Sequence, residues 1–328
     1  MRTLHITNGD GAAGIIKASK VPGDVLPWRD PMHHGPFPAG KSLEQLRAIR
    51  AAHLSGFGID PLEIERDFEL RDAHLQAATE YGRVILWFEH DLLDQLQILQ
   101  ILDWFGDVEL GSTELQLICI NKFPGLPQFR GIGQLTPDQM ASLLDQAVPV
   151  TQEMTTLAQT GWRAFRSDDP REVLSFASGN LRHLPFMQTA LMRHLEEFPS
   201  VLNGLTRTEH QILSLAEEGA LTPAKFFLGN MELETALYIG DWATFVILDR
   251  LALAGLLCGT DGPYVAIDFE ERDLFNRQEL ALTDKGKKAL AGIDPLIDRD
   301  DWLGGVHILS GHPHWRWDPK AAAPVLCA

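Results

Sequence analysis

Val84-Ile85-Leu86-Trp87-Phe88 runs straight into Glu89-His90-Asp91, and this is the segment from which the fold can be read. Five apolar residues in a row, β-branched and aromatic among them, mark a strand covered on both faces, as strands inside a parallel sheet are. The run stops at three ionisable residues, and a long amphipathic helix follows to about Trp104. Leu115 to Ile120 repeats the pattern and ends at Asn121-Lys122. Toward the N-terminus, Leu4 to Thr7 is a short apolar strand ending in Asn8-Gly9-Asp10-Gly11-Ala12-Ala13-Gly14. That segment reads as a glycine-rich turn and a helix start at Ile15-Ile16-Lys17. Gly23 to Trp28 reads as a second strand, broken by Arg29-Asp30-Pro31. Helical periodicity covers Ser42 to Ser55, with Ser42 as N-cap, and Asp67 to Tyr81. Strand and helix alternating four times implies an α/β class, a Rossmann-like open parallel sheet over residues 1–125.

Pro124 to Gln134 is rich in Gly and Pro and reads as a linker. A helical connecting region is expected over 126–200, with helices at Thr136–Val148, Thr151–Phe165, Pro170–Phe176 and Pro185–Glu197. From 201 to 300 the order changes. Thr206-Arg207-Thr208-Glu209 is a capping-box pattern opening a helix over Gln211–Glu218. A longer helix spans Asp241 to Leu257, and strand-like pieces follow at Tyr264–Phe269 and Gln278–Leu282. Thr283-Asp284-Lys285-Gly286 then starts a closing helix. Helices, a hairpin and a closing helix predict a winged-helix-like C-terminal domain. Residues 301–328 form a Trp/His-rich tail, with Trp302, His307, His312, His314, Trp315 and Trp317. Exposing so many aromatics is unfavourable, so the tail is expected to pack back on the body; whether it covers the mouth of the N-terminal pocket stays open.

At 328 residues and 45% apolar content the chain can bury cores for two domains. No apolar run is long enough to cross a bilayer, which argues against a membrane partner. The strand-like start leaves no room for a signal peptide, and three dispersed cysteines argue against a disulfide framework or a cysteine zinc site. A cytoplasmic location is therefore expected. The net charge of −17 opposes phosphate backbones on average. Between 200 and 300 there are nine Lys and Arg against seventeen Asp and Glu. The best candidate recognition helix, from Asp241 to Arg250, has one basic residue, which argues against nucleic acid. Self-association to a homo-oligomer stays open.

Ligands of open α/β sheets bind beyond the carboxyl ends of the strands. The residues expected there are Asn8 and Asp10, Asp30 with His33 and His34, Glu89-His90-Asp91, and Asn121 with Lys122. Carboxylates and imidazoles converging in this way suit a divalent cation or acid–base work, although Asp10, Asp91 and Asp94 also stand where helix caps are expected. Asp10, Asp30 and Asp91 are the expected metal ligands, for a cation such as magnesium. His33 or His90 is the expected acid or base, and Arg316 an anion clamp delivered by the tail. Asp91 and Gln95 lie four apart on one helix face, so Gln95 is a candidate to orient a substrate. Asn8 with Gly9, Gly11 and Gly14 would let a backbone approach a phosphate at a helix N-terminus, though the turn is neither a Walker loop nor a dinucleotide fingerprint.

Asn8-Gly9-Asp10, Trp28-Arg29-Asp30 with Gly35-Pro36, and His90-Asp91 followed by Asp94-Gln95-Leu96 resemble the bacterial family catalogued as domain of unknown function 1835. The resemblance covers roughly residues 1–125, with the C-terminal half resembling the family's usual helical extension. His34 departs from the family's pattern, where a glutamate commonly precedes Gly-Pro. The resemblance implies no activity. Its motif residues are the strand-end residues singled out above. Two functions are compatible with all this: an enzyme acting on a phosphate-bearing or nucleotide-like small molecule with a divalent cation, or a ligand-sensing or protein-interaction regulator using the winged-helix-like domain.

Overall fold

The computed structural model describes residues 2–267 and 272–327. Its architecture is mixed α/β, built on a five-stranded, mostly parallel sheet with helices around it. The sheet strands are β1 (Thr3–Thr7), β2 (Asp24–Pro27), β4 (Arg83–Glu89), β5 (Glu114–Ile120) and β6 (Val148–Pro149). They lie in the order β2-β1-β4-β5-β6, parallel except for β6 at the edge. β4 is buried along nearly its whole length, as its unbroken apolar run demands. The chain turns to opposite sides after β1 and after β4, so the two central strands flank the crevice where such sheets bind ligands.

Helix α1 (Asp10–Ala18) joins β1 to β2, and α2 (Leu43–Ser55) and α3 (Pro61–Gln76) lead to β4. Ser42 caps α2 through a capping box, as expected. The expected glycine-rich turn is shorter than its sequence implies. The helix already begins at Asp10, so Gly11 and Gly14 are helical and only Gly9, at φ +156°, makes the turn. Helix α3 begins six residues before the expected Asp67, because Asp60 accepts from Leu62 N and Pro61 takes the first helical position.

Helix α4 (Leu92–Gly106) is buried nearly all round between the sheet and the helices α6 (Gln152–Phe165) and α8 (Met187–Leu195). The expected helix from Thr136 to Val148 is instead the short α5 (Pro137–Ser142), a 3₁₀ turn and then β6. Nor is the segment before it a free linker. Ile132 is fully buried against the sheet.

The C-terminal half has its own core, centred on Leu213, Phe226, Leu248 and Phe275. Helices α9 (Arg207–Glu217), α10 (Pro223–Glu232) and α11 (Asp241–Leu253) come first. The strands β7 (Leu257–Gly259) and β8 (Leu280–Leu282) then form an antiparallel pair, and α13 (Asp284–Leu290) closes the unit. Helix α10 was not anticipated. The strand expected at Tyr264–Phe269 is irregular over 264–267, and its last residues fall outside the described ones. A short helix, α12 (Arg272–Arg277), precedes β8. Helices α6, α7 (Arg171–Ala177) and α8 belong to the core of the N-terminal sheet, packed with α4.

The tail packs on the body as four strands, β9 (Asp300–Gly304), β10 (Val306–Leu309), β11 (His314–Asp318) and β12 (Ala323–Cys327). β9 pairs in parallel with the two-residue β3 (Gly35–Pro36), which attaches the tail to the loop after β2. No helix of the described residues is long and apolar enough to cross a membrane.

Candidate functional site at the ends of β1 and β4

Where β4 gives way to α4, the backbone turns sharply and side chains close the turn. Asp91 is the N-cap of α4 and accepts from Asp94 N at 2.8 Å. Asp94 Oδ2 reaches back to accept from Glu89 N at 2.6 Å, and its Oδ1 accepts from Asn8 Nδ2 at 2.8 Å. The Asn8–Asp94 bond thus spans the crevice between β1 and β4. Glu89 accepts from the backbone N–H of Ile132, in the segment that folds over it. Gly131 stands at φ +150°, and a side chain there would collide with the Glu89 carboxyl group, so this cover depends on glycine.

The result is three buried carboxyl groups, Glu89, Asp91 and Asp94, each offering an oxygen within 4.8 Å of the others. The donors that bond them are neutral: backbone amides and Asn8. Burial and mutual repulsion therefore favour the protonated forms. Burial pushes Asp91 up to about 7. Glu89 and Asp94 are raised well above the usual carboxylate range, by burial first and then by the neighbouring acids. Burial also raises the thiol of Cys119, which stands beside Gln95. Such a cluster holds protons at neutral pH unless a cation replaces them, and hard oxygen ligands at this spacing suit a small divalent cation.

The expected metal ligands are not gathered together. Asp91 belongs to the cluster, whereas Asp10 and Asp30 are each engaged by an arginine. Asp10, exposed at the start of α1, takes two bonds from Arg29, at 2.8 and 2.9 Å, and this lowers its pKa. Arg29 also pairs with Asp67. Asp30 is buried against Arg50, whose Nε and Nη2 donate to its Oδ1 at 3.0 and 2.7 Å. Gln95, the expected substrate-orienting residue, donates its amide to the carbonyl of Glu89 at 2.7 Å and so holds the turn. Arg316 bonds Asp294 at 2.8 Å in a cleft shared with Gly204, Ser310 and His314, with none of the strand-end acids on its walls.

The two histidines part company. His90 lines a cavity of about 220 Å³ with Asn121, Arg193 and Tyr238. Burial lowers its pKa, so its ring is neutral at pH 7. His33 is buried on the wall of a different cavity, with His34 and His53. Around it the loop after β2 is fastened by residues the sequence reading missed. Gln97 Nε2 donates to the carbonyls of Trp28 and Asp30, and Gln100 accepts from Trp28 Nε1. Their signal was present: glutamines at positions 97 and 100 stand within the apolar run Leu96 to Leu102, and buried amides need partners.

Compared with protein-family models and with curated proteins, the chain matches none.

Proposed function

We propose that the chain is an enzyme that acts on a phosphate-bearing or nucleotide-like small molecule with a divalent cation, centred where β1 and β4 end. The observation that carries this reading is the gathering of Glu89, Asp91 and Asp94 at the crevice of the parallel sheet, bonded among the described residues by neutral donors. A cation such as magnesium held there would polarise a substrate oxygen. Helix α1 starts two residues beyond Asn8, and the space outside Gly9 and Gly11 is open, so its first amides can meet an anionic group. His90, kept neutral by burial, is the group available on the adjoining cavity to take a proton. The sheet is read as Rossmann-like, and membership of the family that the N-terminal motifs resemble belongs to the same proposal.

Titration calorimetry with magnesium, manganese and calcium tests it. Binding is expected to release protons near pH 7 and to be lost in Asp91→Asn and Glu89→Gln. Wild-type protein that binds none of the three, or variants that bind as well as wild type, would overturn the reading.

A second reading, a ligand-sensing regulator, is favoured by one observation: α11, the third helix of the unit read as winged-helix-like, forms a wall of the cavity that also holds His33. A ligand there would act on that helix directly.

A further inference from the structure

The cavity beside His33 lies where three separate parts of the chain meet. The turn after α2 supplies Phe57, α11 supplies Trp242, Val246 and Ile247, and the tail strand β9 supplies Trp302 and Leu303. Each of these side chains is only partly buried, and each borders this one space. The rings of Phe57 and Trp242 meet edge to face, with centroids 6.5 Å apart. The volume is about 170 Å³. A void of roughly 150 Å³ is enough for benzene, so this one takes a single ring with a short substituent.

The charged groups on the walls are committed already. Arg250 is bonded by Asp301 at 2.6 and 2.9 Å, and Arg299 by buried Glu209 at 2.6 and 3.0 Å. Glu197 accepts from Arg193 at 2.6 Å, and Asp300 pairs with His307 at 2.7 Å. His34 and His53 bond each other at 3.0 Å through Nδ1 and Nε2, and burial holds both rings neutral at pH 7. The ring nitrogens of His33 are buried out of a ligand's reach. What a ligand meets here is therefore mostly carbon. A charged or strongly polar ring would leave water without gaining partners, whereas an apolar ring has no such bonds to lose and buries its own surface.

We propose that this cavity binds an uncharged, mainly hydrocarbon molecule the size of a single substituted ring, held between the aromatic and aliphatic side chains of α11, β9 and the turn after α2. Concave walls lined mainly by such side chains are the general form of a small-molecule pocket. A ligand there touches all three segments at once. The site is separate from the carboxyl cluster and stands whether or not a cation binds there.

The test uses the full chain and four single-ring probes: toluene, benzoate, benzylamine and uracil. The first three share a phenyl ring and differ in charge, and uracil is uncharged but polar. Each is followed at pH 7 by calorimetry and by thermal shift. Toluene is expected to bind and to raise the melting temperature, with the other three at least about ten-fold weaker. Val246→Trp, which fills the cavity from α11, should abolish toluene binding. Ala243→Leu, a smaller intrusion from the same helix, should weaken it at least about ten-fold, and decides alone if Val246→Trp fails to fold. Asp91→Asn is expected to bind toluene as wild type does, which separates this site from the strand-end centre. Benzoate, benzylamine or uracil binding as tightly as toluene, or no probe binding, would each overturn the proposal, as would toluene binding undisturbed by either change in α11.

Discussion

Replacing Asp30 by Asn separates two roles that one carboxylate cannot hold together. The structure commits Asp30 to Arg50: the two side chains are each 2% exposed, and the guanidinium places two donors on one carboxylate oxygen. Its remaining bonds go to the carbonyls of His34 at 2.8 Å and Pro31 at 3.3 Å, and it lies 4.2 Å over the ring of Phe37. Removing the carboxylate charge leaves a buried cation facing carbonyls, a phenyl ring and imidazoles, none of them an anion. Breaking such a pair from one side costs about 3–5 kcal/mol, and an amide that keeps one acceptor oxygen brings the cost toward the low end. A loss of about 3 kcal/mol is therefore expected from urea denaturation, with the melting temperature lower by on the order of 10 °C. Arg50→Met alone should cost a similar amount. The pair Asp30→Leu with Arg50→Met should cost less than the two single changes added together, because the apolar pair strands no charge. Cation binding measured by calorimetry should survive in Asp30→Asn. A variant that stays within 1 kcal/mol of wild type yet no longer binds a cation would refute the reasoning and return Asp30 to the metal site.

Three further outcomes are expected. Asp91 titrates near 7 in the folded protein against 3.8 as its ordinary value, so the folded state holds the extra proton between those limits. The cluster's contribution therefore declines as pH rises from about 4 to 7, and saturating magnesium should reverse that trend in wild type but not in Asp91→Asn; denaturation with and without the ion checks it. His33 carries the opposite sign. Its pKa is lowered from 6.5 to about 4, so the unfolded chain takes the proton first and up to about 3 kcal/mol is lost as pH falls through that window. His33→Leu should flatten this limb of the stability–pH curve, and an unchanged limb would count against a neutral buried ring. Gly35 sits at φ +82° with Arg50 and His53 where a side chain would stand. Gly35→Ala should cost at least about 2 kcal/mol in urea denaturation, and a neutral result would refute the close approach of Arg50 and His53 to this turn.

Local pattern carried the parallel sheet. The unbroken run ending at Phe88, the strand ending at Ile120 and the cap at Ser42 all declare themselves within a few neighbours. Position along the strand was also enough to direct attention to Glu89, His90 and Asp91. Which acids meet was not legible. That depends on Arg50 reaching Asp30 from a later helix and Arg29 turning to Asp10, and no spacing rule encodes such pairings. The role of Asp94 was read only as a cap, because its bond to Asn8 crosses most of a domain in sequence. Helix α10 was missed although Thr222 and Pro223 are an ordinary start signal, since Gly229 and the exposed Leu228 blur its apolar face. The tail strand β9 was hidden by an unusual partner, a two-residue strand supplied by Gly35 and Pro36.

That last pairing has a kinetic consequence. The parallel contact between Gly35 and Leu303 joins residues separated by almost the whole chain, among the least local contacts the protein makes. Contacts of this kind form late, since the entropy of closing so long a loop is lost before any packing compensates it. During synthesis on the ribosome, the sheet and its three buried acids can assemble long before Trp302 and Leu303 have emerged. The cavity beside His33 lacks the wall that β9 supplies until they do. It is therefore among the last features of the molecule to mature, with only the end of the tail, β11 and β12, still to follow it.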